Sequence, residues 1–297
     1  MSFQKRELRK GLAVTIPATL ILGVFVYGFI LWSIRVSLSA WDGILPDFRF
    51  AGLSNYLTLL RSERFQTGIR NTLFFTVFFM LISIVVGFFL SYLLFSKIRG
   101  ESVFRTIYLF PLSLSFVVTG VLWRWILSPQ AGINALFRMM GIPADFGWFT
   151  STQHILGFNL ALISLLIAAS WQYSGYTMAM FLAGLRSIPE PIIESARIDG
   201  ASEFRIVWSI LLPILKPITF SAMIVLGHIS LKIFDLAYAM TGAGPAFVTD
   251  FPGLFMFETT FRGNHYAEGA SVSVIMLVIV ALVIVPYLHS TFRGEEE

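Results

Sequence analysis

Residues 72–95 read TLFFTVFFMLISIVVGFFLSYLLF, a run of 24 residues without a charged side chain. A transmembrane helix needs about 20 mainly apolar residues to cross the hydrocarbon core of a bilayer. A strand of a membrane barrel is only about 9–11 residues long and alternates apolar with polar positions. This stretch is therefore predicted to form a membrane-spanning helix.

The rest of the chain has the same apolar character. Its 297 residues are 56% hydrophobic and 13% charged, and the mean hydropathy is +0.78, which is typical of integral membrane proteins. Apolar runs predict six spans, near 12–34, 72–95, 103–126, 156–185, 211–231 and 270–289. The first run is a full span without a small-residue cleavage site, so it is expected to be retained. The expected fold is an all-α integral membrane protein with one transmembrane domain over residues 1–297.

Lys and Arg residues mark three segments as cytoplasmic: the N-terminus and the segments after the second and fourth spans. These residues are Lys5, Arg6, Arg9, Lys10, Lys97, Arg99, Arg105, Arg186, Arg197, Arg205 and Lys216. The asymmetry is moderate, because Arg35, Arg49, Arg61, Arg64 and Arg70 lie in the first loop expected on the other side. With six spans, both termini are expected to be cytoplasmic.

Several kinds of chemistry lack their residues in this sequence. A Gly-x-x-x-x-Gly-Lys-Ser/Thr phosphate loop is absent, so the chain is not expected to hydrolyse ATP itself. The chain has no Cys, and its four His residues do not have the His-Glu-x-x-His spacing of zinc hydrolases. The net charge of +4 is ordinary for a membrane protein and indicates no nucleic-acid partner. No catalytic residue, metal site or cofactor is therefore predicted in this chain.

A polar stretch, EPIIESARIDGASEFRIVWSILLP at residues 190–213, interrupts the apolar sequence between the fourth and fifth predicted spans. Pro191 lacks an N–H and suits the first turn of a helix, where the dipole also favours the Glu194 carboxylate. Gly200 can end this helix in a left-handed cap, and Ser202 can cap a second one. The stretch is predicted to hold a short helix braced between two spans by a glycine turn.

This pattern resembles the "EAA" loop of permease subunits of bacterial ATP-binding-cassette (ABC) importers, in which Glu-Ala-Ala precedes Asp-Gly-Ala and then Ile-x-Leu-Pro. The resemblance implies a type I importer permease fold in a bacterial inner membrane. It also implies that residues 186–213 form a coupling loop that docks on a separate homodimeric ATPase, which binds ATP and Mg²⁺. The implied docking residues are Glu194, Ser195, Ala196, Asp199, Gly200 and Ala201, with Ile210, Leu212 and Pro213 at the start of the fifth span. Ser195 stands where the family has Ala. By composition alone, the loop would be a solvated hairpin with ordinary capping residues.

Further stretches resemble the sugar branch of these permeases. They are RTIYLFP at 105–111, FLAGLRSIP at 181–189 and FDLAYAMTGAGP at 234–245. FVYGFILW at 25–32, LSFVVTG at 114–120 and HISLKIFD at 228–235 resemble permeases of glucose and mannose importers. The resemblance implies import of a sugar by alternating access, with a second permease subunit and an extracytoplasmic sugar-binding protein as partners. Related permeases carry disaccharides or glucosides, so those cargoes remain an alternative.

Polar and aromatic side chains inside the spans are candidates for the sugar pathway, because sugars are bound by aromatic faces and by hydrogen-bonding groups. The candidates are Trp171, Gln172, Tyr176, His228, Lys232 and Asp235. Lys232 and Asp235 are close enough in sequence to pair, and such a pair could instead hold a helix to a loop. Trp171 and Tyr176 could serve helix packing alone. All sugar contacts could also lie on the second permease subunit.

Two other classes of membrane protein are weaker interpretations. A stand-alone secondary transporter or channel would need ion-coupling carboxylates or matched broken helices, and the spans contain almost no acidic residues. A membrane enzyme would need a catalytic constellation. An importer of amino acids or anions would carry the same polar loop, so the sugar assignment depends on the other stretches.

Overall fold

The computed structural model describes residues 15–96, 98–143, 146–155 and 158–293. Leu12 and Leu156, where two predicted spans begin, lie outside these ranges, as do Lys5, Arg6, Arg9, Lys10 and Lys97. The chain divides into two compact units. The described residues of one unit fall within Met1–Ser62 and Phe255–Glu297, and the other unit is Glu63–Leu254.

Helices dominate the described residues. In chain order they are α1 (Thr15–Ser37, with a π-helical turn at Gly23–Tyr27), α2 (Ser54–Arg61), α3 (Glu63–Phe95), α4 (Glu101–Leu109), α5 (Phe116–Ile126), α6 (Gly132–Met139), α7 (Leu160–Ser187), α8 (Glu190–Ile198), α9 (Glu203–Ile214, with a π-helical turn at Val207–Leu211), α10 (Lys216–Leu231), α11 (Asp235–Met240), α12 (Pro252–Phe257) and α13 (Tyr266–Arg293). Two short strands, β1 (His154–Ile155) and β2 (Phe158–Asn159), pair antiparallel.

Among the described residues, two helices, α1 and α3, are each long and apolar enough to cross a membrane. Two bent pairs of helices raise this number to four if each pair is one span. They are Glu101–Ser113 with Phe116–Ile126 and Glu203–Ile214 with Lys216–Leu231. The helix α7 is 28 residues long but carries a polar middle, and α13 is also 28 residues long. The membrane-helical character is confirmed, and the count of six spans stays a prediction.

The third and fifth predicted spans are not straight helices. The third bends by 102° where the 3-10 turn Phe110–Ser113 ends, because Pro111 lies in that turn and Ser115 caps the next helix. The fifth bends by 67° at Leu215, and Pro217 lies in the first turn after the bend. Proline lacks the N–H that would continue the helical bonding, so each bend has a local cause.

The unit Glu63–Leu254 is built around α3 and α7, which make its most extensive helix–helix contact. Small residues Ser83, Gly87 and Ser91 recur every fourth position on the buried face of α3. The Thr177 hydroxyl of α7 donates a 2.6 Å hydrogen bond to the Ser83 carbonyl. Small residues let helix backbones approach closely, which is the usual packing of helices in a bilayer.

Replacing Gly87 by Ala is expected to destabilise this unit. A Cβ at Gly87 would overlap the Thr177 side chain and lie 2.8 Å from the Met178 backbone nitrogen, so the two helices must separate. Overpacking of this kind costs about 1–3 kcal/mol. Thermal unfolding in detergent would measure the loss.

The matched control is Gly227→Ala on α10, where a Cβ would meet only the Met80 sulfur at 3.6 Å. Alanine favours helix over glycine by roughly 1 kcal/mol, so this variant should be neutral or more stable. Equal effects at the two glycines would contradict the close packing of α3 on α7.

The other unit contains α1, α2 and α13, and α13 packs on both α1 and α2. The Ser271 hydroxyl donates to the Ser37 carbonyl at 3.2 Å, and the Ala267 N–H donates to the Trp41 carbonyl at 3.0 Å. The His265 Nδ1 and a carboxylate oxygen of Asp42 lie within hydrogen-bond distance. These contacts join the end of α1 and its following loop to the start of α13.

Candidate functional site

The short helix predicted in the polar loop is present as α8. Glu190 and Pro191 occupy its first turn, and it ends at Ile198. Gly200 follows with a φ of +82°, and the Ala201 N–H donates to the Ala196 carbonyl at 3.0 Å. That bond is the six-to-one link of a Schellman cap, in which glycine takes the left-handed position. The predicted glycine turn is confirmed.

One side of α8 packs inward and the other is open. Ile193 is 5% exposed and joins a buried cluster with Phe181, Leu185, Ile206, Leu211 and Leu215. Glu194, Ser195, Asp199 and Gly200 are exposed, whereas Ala196 and Ala201 are half-buried. Ile198 is 86% exposed, and its position was not singled out from the sequence. The arrangement presents a short polar helix with an exposed isoleucine on a hydrophobic base.

The second helix, predicted to be capped by Ser202, is present as α9. Ser202 caps α9 by accepting a bond from the Arg205 N–H, and α9 then runs on to Ile214. Ile210 and Leu212 are half-buried and Pro213 is exposed. They therefore lie within this helix, and the break comes after them at Leu215. The π-helical turn at Val207–Leu211 precedes Pro213, whose missing N–H interrupts the helical bonding there.

A hydrogen-bonded triad ties the loop to α3. The Arg197 Nε donates to Glu203 Oε1 at 2.8 Å, and the Tyr92 hydroxyl donates to Glu203 Oε2 at 2.9 Å. Bonds from Arg197 and then Tyr92 lower the pKa of the Glu203 carboxyl. The triad borders a cavity of about 400 Å³. The sequence did not point to it, because Tyr92 and Glu203 are 111 residues apart.

Glu203→Gln is expected to change stability in a pH-dependent way. A lowered folded-state pKa means that the carboxylate stabilises the fold above its ordinary pKa of 4.5. This contribution is lost as the pH falls through the lowered value. Because Arg197 and Glu203 are each 55% exposed, the effect should stay below about 1 kcal/mol.

Thermal unfolding of wild type and Glu203→Gln across this pH range measures the effect. The difference between them should be present near neutral pH and disappear at acidic pH. A difference that is the same at every pH would mean that the charge of Glu203 does not stabilise the loop.

Two of the predicted sugar-pathway residues carry buried polar atoms without a partner among the described residues. Gln172 is 2% exposed, and its Oε1 accepts no bond, although its Nε2 donates to the Leu114 carbonyl at 2.7 Å. Leu114 follows the 3-10 turn at the bend before α5, so the amide satisfies a carbonyl in that break. The Nδ1 atom of the half-buried His228 also has no partner.

The aromatic candidates take part in ring packing. Trp171 lies edge-on to Trp123, with ring centroids 5.8 Å apart, and Tyr176 lies 6.4 Å from Tyr173. The buried Nε1 of Trp123, a residue not among the candidates, has no partner in the described part of the chain. Trp171 and Tyr176 are half-buried, so packing accounts for part of their surface.

The pairing predicted for Lys232 and Asp235 is wrong. The helix α10 ends at Leu231, Lys232 is the residue after it, and Asp235 opens the separate helix α11. Both side chains are exposed, and no ion pair joins them within the described ranges. The helix break between them separates two side chains that are only three positions apart in the sequence.

A buried ion pair was not anticipated from the sequence. The Arg64 Nε donates to Asp250 Oδ2 at 2.5 Å, and the Asp250 side chain has no exposure. The Arg64 guanidinium also lies 4.5 Å from the ring centroid of Phe247, and Asn71 donates to the Asp250 carbonyl at 3.0 Å. Together these contacts hold the segment after α11 against the start of α3.

Comparison with known proteins gives consistent matches. Residues 83–292 match the family described as "binding-protein-dependent transport system inner membrane component". A probable ABC transporter permease protein of Pyrococcus horikoshii is 41% identical, over 95% of this chain and 95% of the relative. The xylose/arabinose import permease protein of Haloferax volcanii is 36% identical, over 92% and 85%. The glucose import system permease protein of Saccharolobus solfataricus is 27% identical, over 96% and 98%.

A solved structure has the same fold. It is a chain of a bacterial alginate ABC transporter in complex with an alginate pentasaccharide-bound periplasmic protein. The TM-score is 0.81 at 19% identity, and the match covers 98% of this chain and 97% of that chain. At this identity the likeness concerns the fold alone, and the predicted all-α importer permease fold is confirmed.

Proposed function

Because this chain belongs to the family of inner-membrane components of binding-protein-dependent transport systems, we propose that it is a permease subunit of an ATP-driven sugar importer. The observation that carries the sugar class is the 36% identity to a xylose/arabinose import permease over nearly the whole chain. The sugar crosses the cytoplasmic membrane by alternating access between helices of this subunit and a second permease. Both termini lie on the cytoplasmic side.

The energy comes from a separate homodimeric ATPase that binds ATP and Mg²⁺. Exposed α8 is its docking element, through Glu194, Ser195, Ala196, Asp199, Gly200 and Ala201. The exposed Ile198 gives this helix an apolar contact beside the polar ones. The buried side chain of Ile193 and the Arg197–Glu203–Tyr92 triad make α8 move together with α3 and α9. Closure of the ATPase dimer is thereby converted into movement of the membrane helices.

The proposed cargo is a monosaccharide, with glucose or mannose as the first candidate. The stretches at 25–32, 114–120 and 228–235 support it, as does the 27% identity to a glucose import permease. A pentose is the second candidate, because the xylose/arabinose permease has the higher identity. Disaccharides and glucosides are the remaining alternatives within this class.

The sugar pathway includes Trp171, Gln172, Tyr176 and His228. A buried polar atom without a partner costs about 1–3 kcal/mol, so the unpaired Gln172 Oε1 and His228 Nδ1 are disfavoured unless something else bonds to them. A sugar hydroxyl can donate to either atom during passage. Lys232 follows α10 and Asp235 opens α11, and both exposed side chains contribute at the mouth of the pathway.

Gln172→Leu and His228→Leu are expected to weaken the response to sugar. Loss of one hydrogen bond of about 1.4 kcal/mol raises the half-saturating sugar concentration about tenfold. The half-saturating sugar concentration is measured from sugar-stimulated ATP hydrolysis in the assembled complex. The control is Gln130→Leu, the same change at an exposed residue outside the helices. Thermal unfolding is followed in parallel, because Gln172 also supports the Leu114 carbonyl. Unchanged sugar dependence in both variants would remove these residues from the pathway.

Purification of the chain from its native membrane in mild detergent tests the function itself. An ATPase, a second permease and a binding protein should accompany it, identified by mass spectrometry. Hydrolysis of ATP should rise with the binding protein and one sugar among glucose, mannose, xylose, arabinose and disaccharides. Recovery of the chain alone, still transporting after reconstitution, would instead indicate a stand-alone secondary transporter.

A further inference from the structure

An exposed group of apolar side chains follows the first membrane-spanning helix. Ile44, Leu45 and Phe50 are each more than 80% exposed, and Leu53, Leu57 and Leu60 are 56–64% exposed. We call these six residues the span-end patch. The three leucines have the spacing i, i+4 and i+7, so they lie on one face of α2 and the turn before it. Apolar side chains grouped this way on an outer surface mark an interaction site.

The level of α2 relative to a bilayer follows from α1. Ser37, the last residue of α1, lies three residues after the span predicted at 12–34, which places it near the edge of the roughly 30 Å hydrocarbon core. The Asn55 amide donates to the Ser37 carbonyl at 2.9 Å, and the Tyr56 hydroxyl lies 2.6 Å from the Ser37 hydroxyl. These bonds hold α2 at the membrane boundary.

The loop between α1 and α2 folds back to the same depth. Phe48 packs edge-on against Trp32, five residues before the end of α1, with ring centroids 5.6 Å apart. The Arg35 guanidinium lies 5.2 Å from the Phe48 ring and 5.9 Å from the Trp32 ring. Tryptophan and arginine side chains favour the headgroup level, where their apolar parts and polar ends are both solvated. Phe50, two residues after Phe48, therefore lies near the acyl chains.

The opposite side of α2 is polar. Thr58 and Asn55 border a cavity of about 200 Å³ together with Asp42, His265 and Glu268. An apolar stripe on one side and a polar cavity on the other are the pattern of a helix at a membrane interface. The surface of α1 is also apolar and exposed, so the span-end patch continues the apolar surface of a membrane-spanning helix.

We infer that the span-end patch is embedded in the headgroup and upper acyl layer of the phospholipid bilayer, with α2 as an interfacial helix. The partner of this surface is lipid rather than another protein. The inference concerns how the subunit is anchored, and it does not depend on the cargo or on the ATPase.

The chain has no Cys, so one introduced Cys is the only labelling site on this subunit, and the wild-type complex gives the background from Cys residues of the other subunits. Leu57→Cys and Leu60→Cys place the label on the span-end patch, and Thr58→Cys places it on the neighbouring polar side of α2. The complex, purified with its accompanying subunits, is reconstituted into phospholipid nanodiscs. Collisions of each label with oxygen and with a water-soluble nickel chelate are then measured.

Labels at 57 and 60 are expected to collide often with oxygen and rarely with the nickel chelate, and the label at 58 is expected to show the reverse. Equal access of the chelate to all three labels would overturn the inference, because the patch would then face water. Shielding of the labels at 57 and 60 from both reagents would also overturn it, because a protein partner would then cover the patch.

Discussion

Gly200→Val is expected to lower sugar uptake strongly while ATP hydrolysis persists. Gly200 has a φ of +82°, and a side chain there costs about 1–2 kcal/mol even with nothing within 4 Å of its Cβ. The turn can relieve this cost by giving up the bond from the Ala201 N–H to the Ala196 carbonyl, which shifts α8 on its base. A free energy of 1–2 kcal/mol shifts an equilibrium roughly 5- to 30-fold. Uptake and ATP hydrolysis are measured together in the reconstituted complex.

Gly141→Val is the matched control. Gly141 has a φ of +78° and also has nothing within 4 Å of a Cβ, but it lies far along the chain from the loop. It should bear the same backbone cost without changing the ratio of uptake to hydrolysis. Normal uptake in Gly200→Val would contradict the docking role proposed for α8. An equal loss in both variants would show that the effect is general strain.

Arg64→Met is expected to cost about 3–5 kcal/mol of stability, the typical effect of removing one member of a buried ion pair. The Asp250 carboxylate has no exposure, so water cannot replace the lost guanidinium without opening the segment. The segment also contains Ala246 and Phe247 with φ values of 51° and 59°. Non-glycine residues keep such angles only where neighbouring contacts hold them. Chemical or thermal unfolding in detergent measures the loss of stability in Arg64→Met.

The double variant Arg64→Met with Asp250→Asn distinguishes the charge from the packing. If the cost arises from a carboxylate left without its cation, neutralising that carboxylate should restore a large part of the stability. Asp250→Asn alone should be less harmful than Arg64→Met, because an amide can still bond to the guanidinium. Additive losses in the double variant would mean that the two residues act independently and that their pairing contributes little.

The polar loop shows how much local sequence can predict. Pro191 and Gly200 act on their own backbone angles, so the helix between them and its left-handed end could be predicted without any tertiary contact. The broken spans show a limit of prediction from local sequence. Pro111 and Pro217 are visible in the sequence, but a proline in an apolar run is compatible with a kinked span, so the bends of 102° and 67° were not predicted.

The candidate sugar-pathway residues show a second limit of prediction from the sequence. Sequence spacing suggested that Lys232 and Asp235 are close enough to pair, but Lys232 follows the end of α10 and Asp235 opens α11. Gln172 was identified as a polar residue within a span, but its bond to Leu114 joins positions 58 residues apart. Such bonds depend on which helices become neighbours, and hydropathy does not report this.

By itself the sequence determined that the protein is helical and membrane-embedded, because hydropathy sums over neighbouring residues and only helices satisfy the backbone in long apolar runs. It also determined the short helix of the polar loop, through proline and glycine. Only the tertiary structure decided the partners of Glu203, Asp250 and Gln172, and the level at which α2 meets the end of α1. These contacts join residues 18 to 186 positions apart, and they form only when packed helices bring distant segments together.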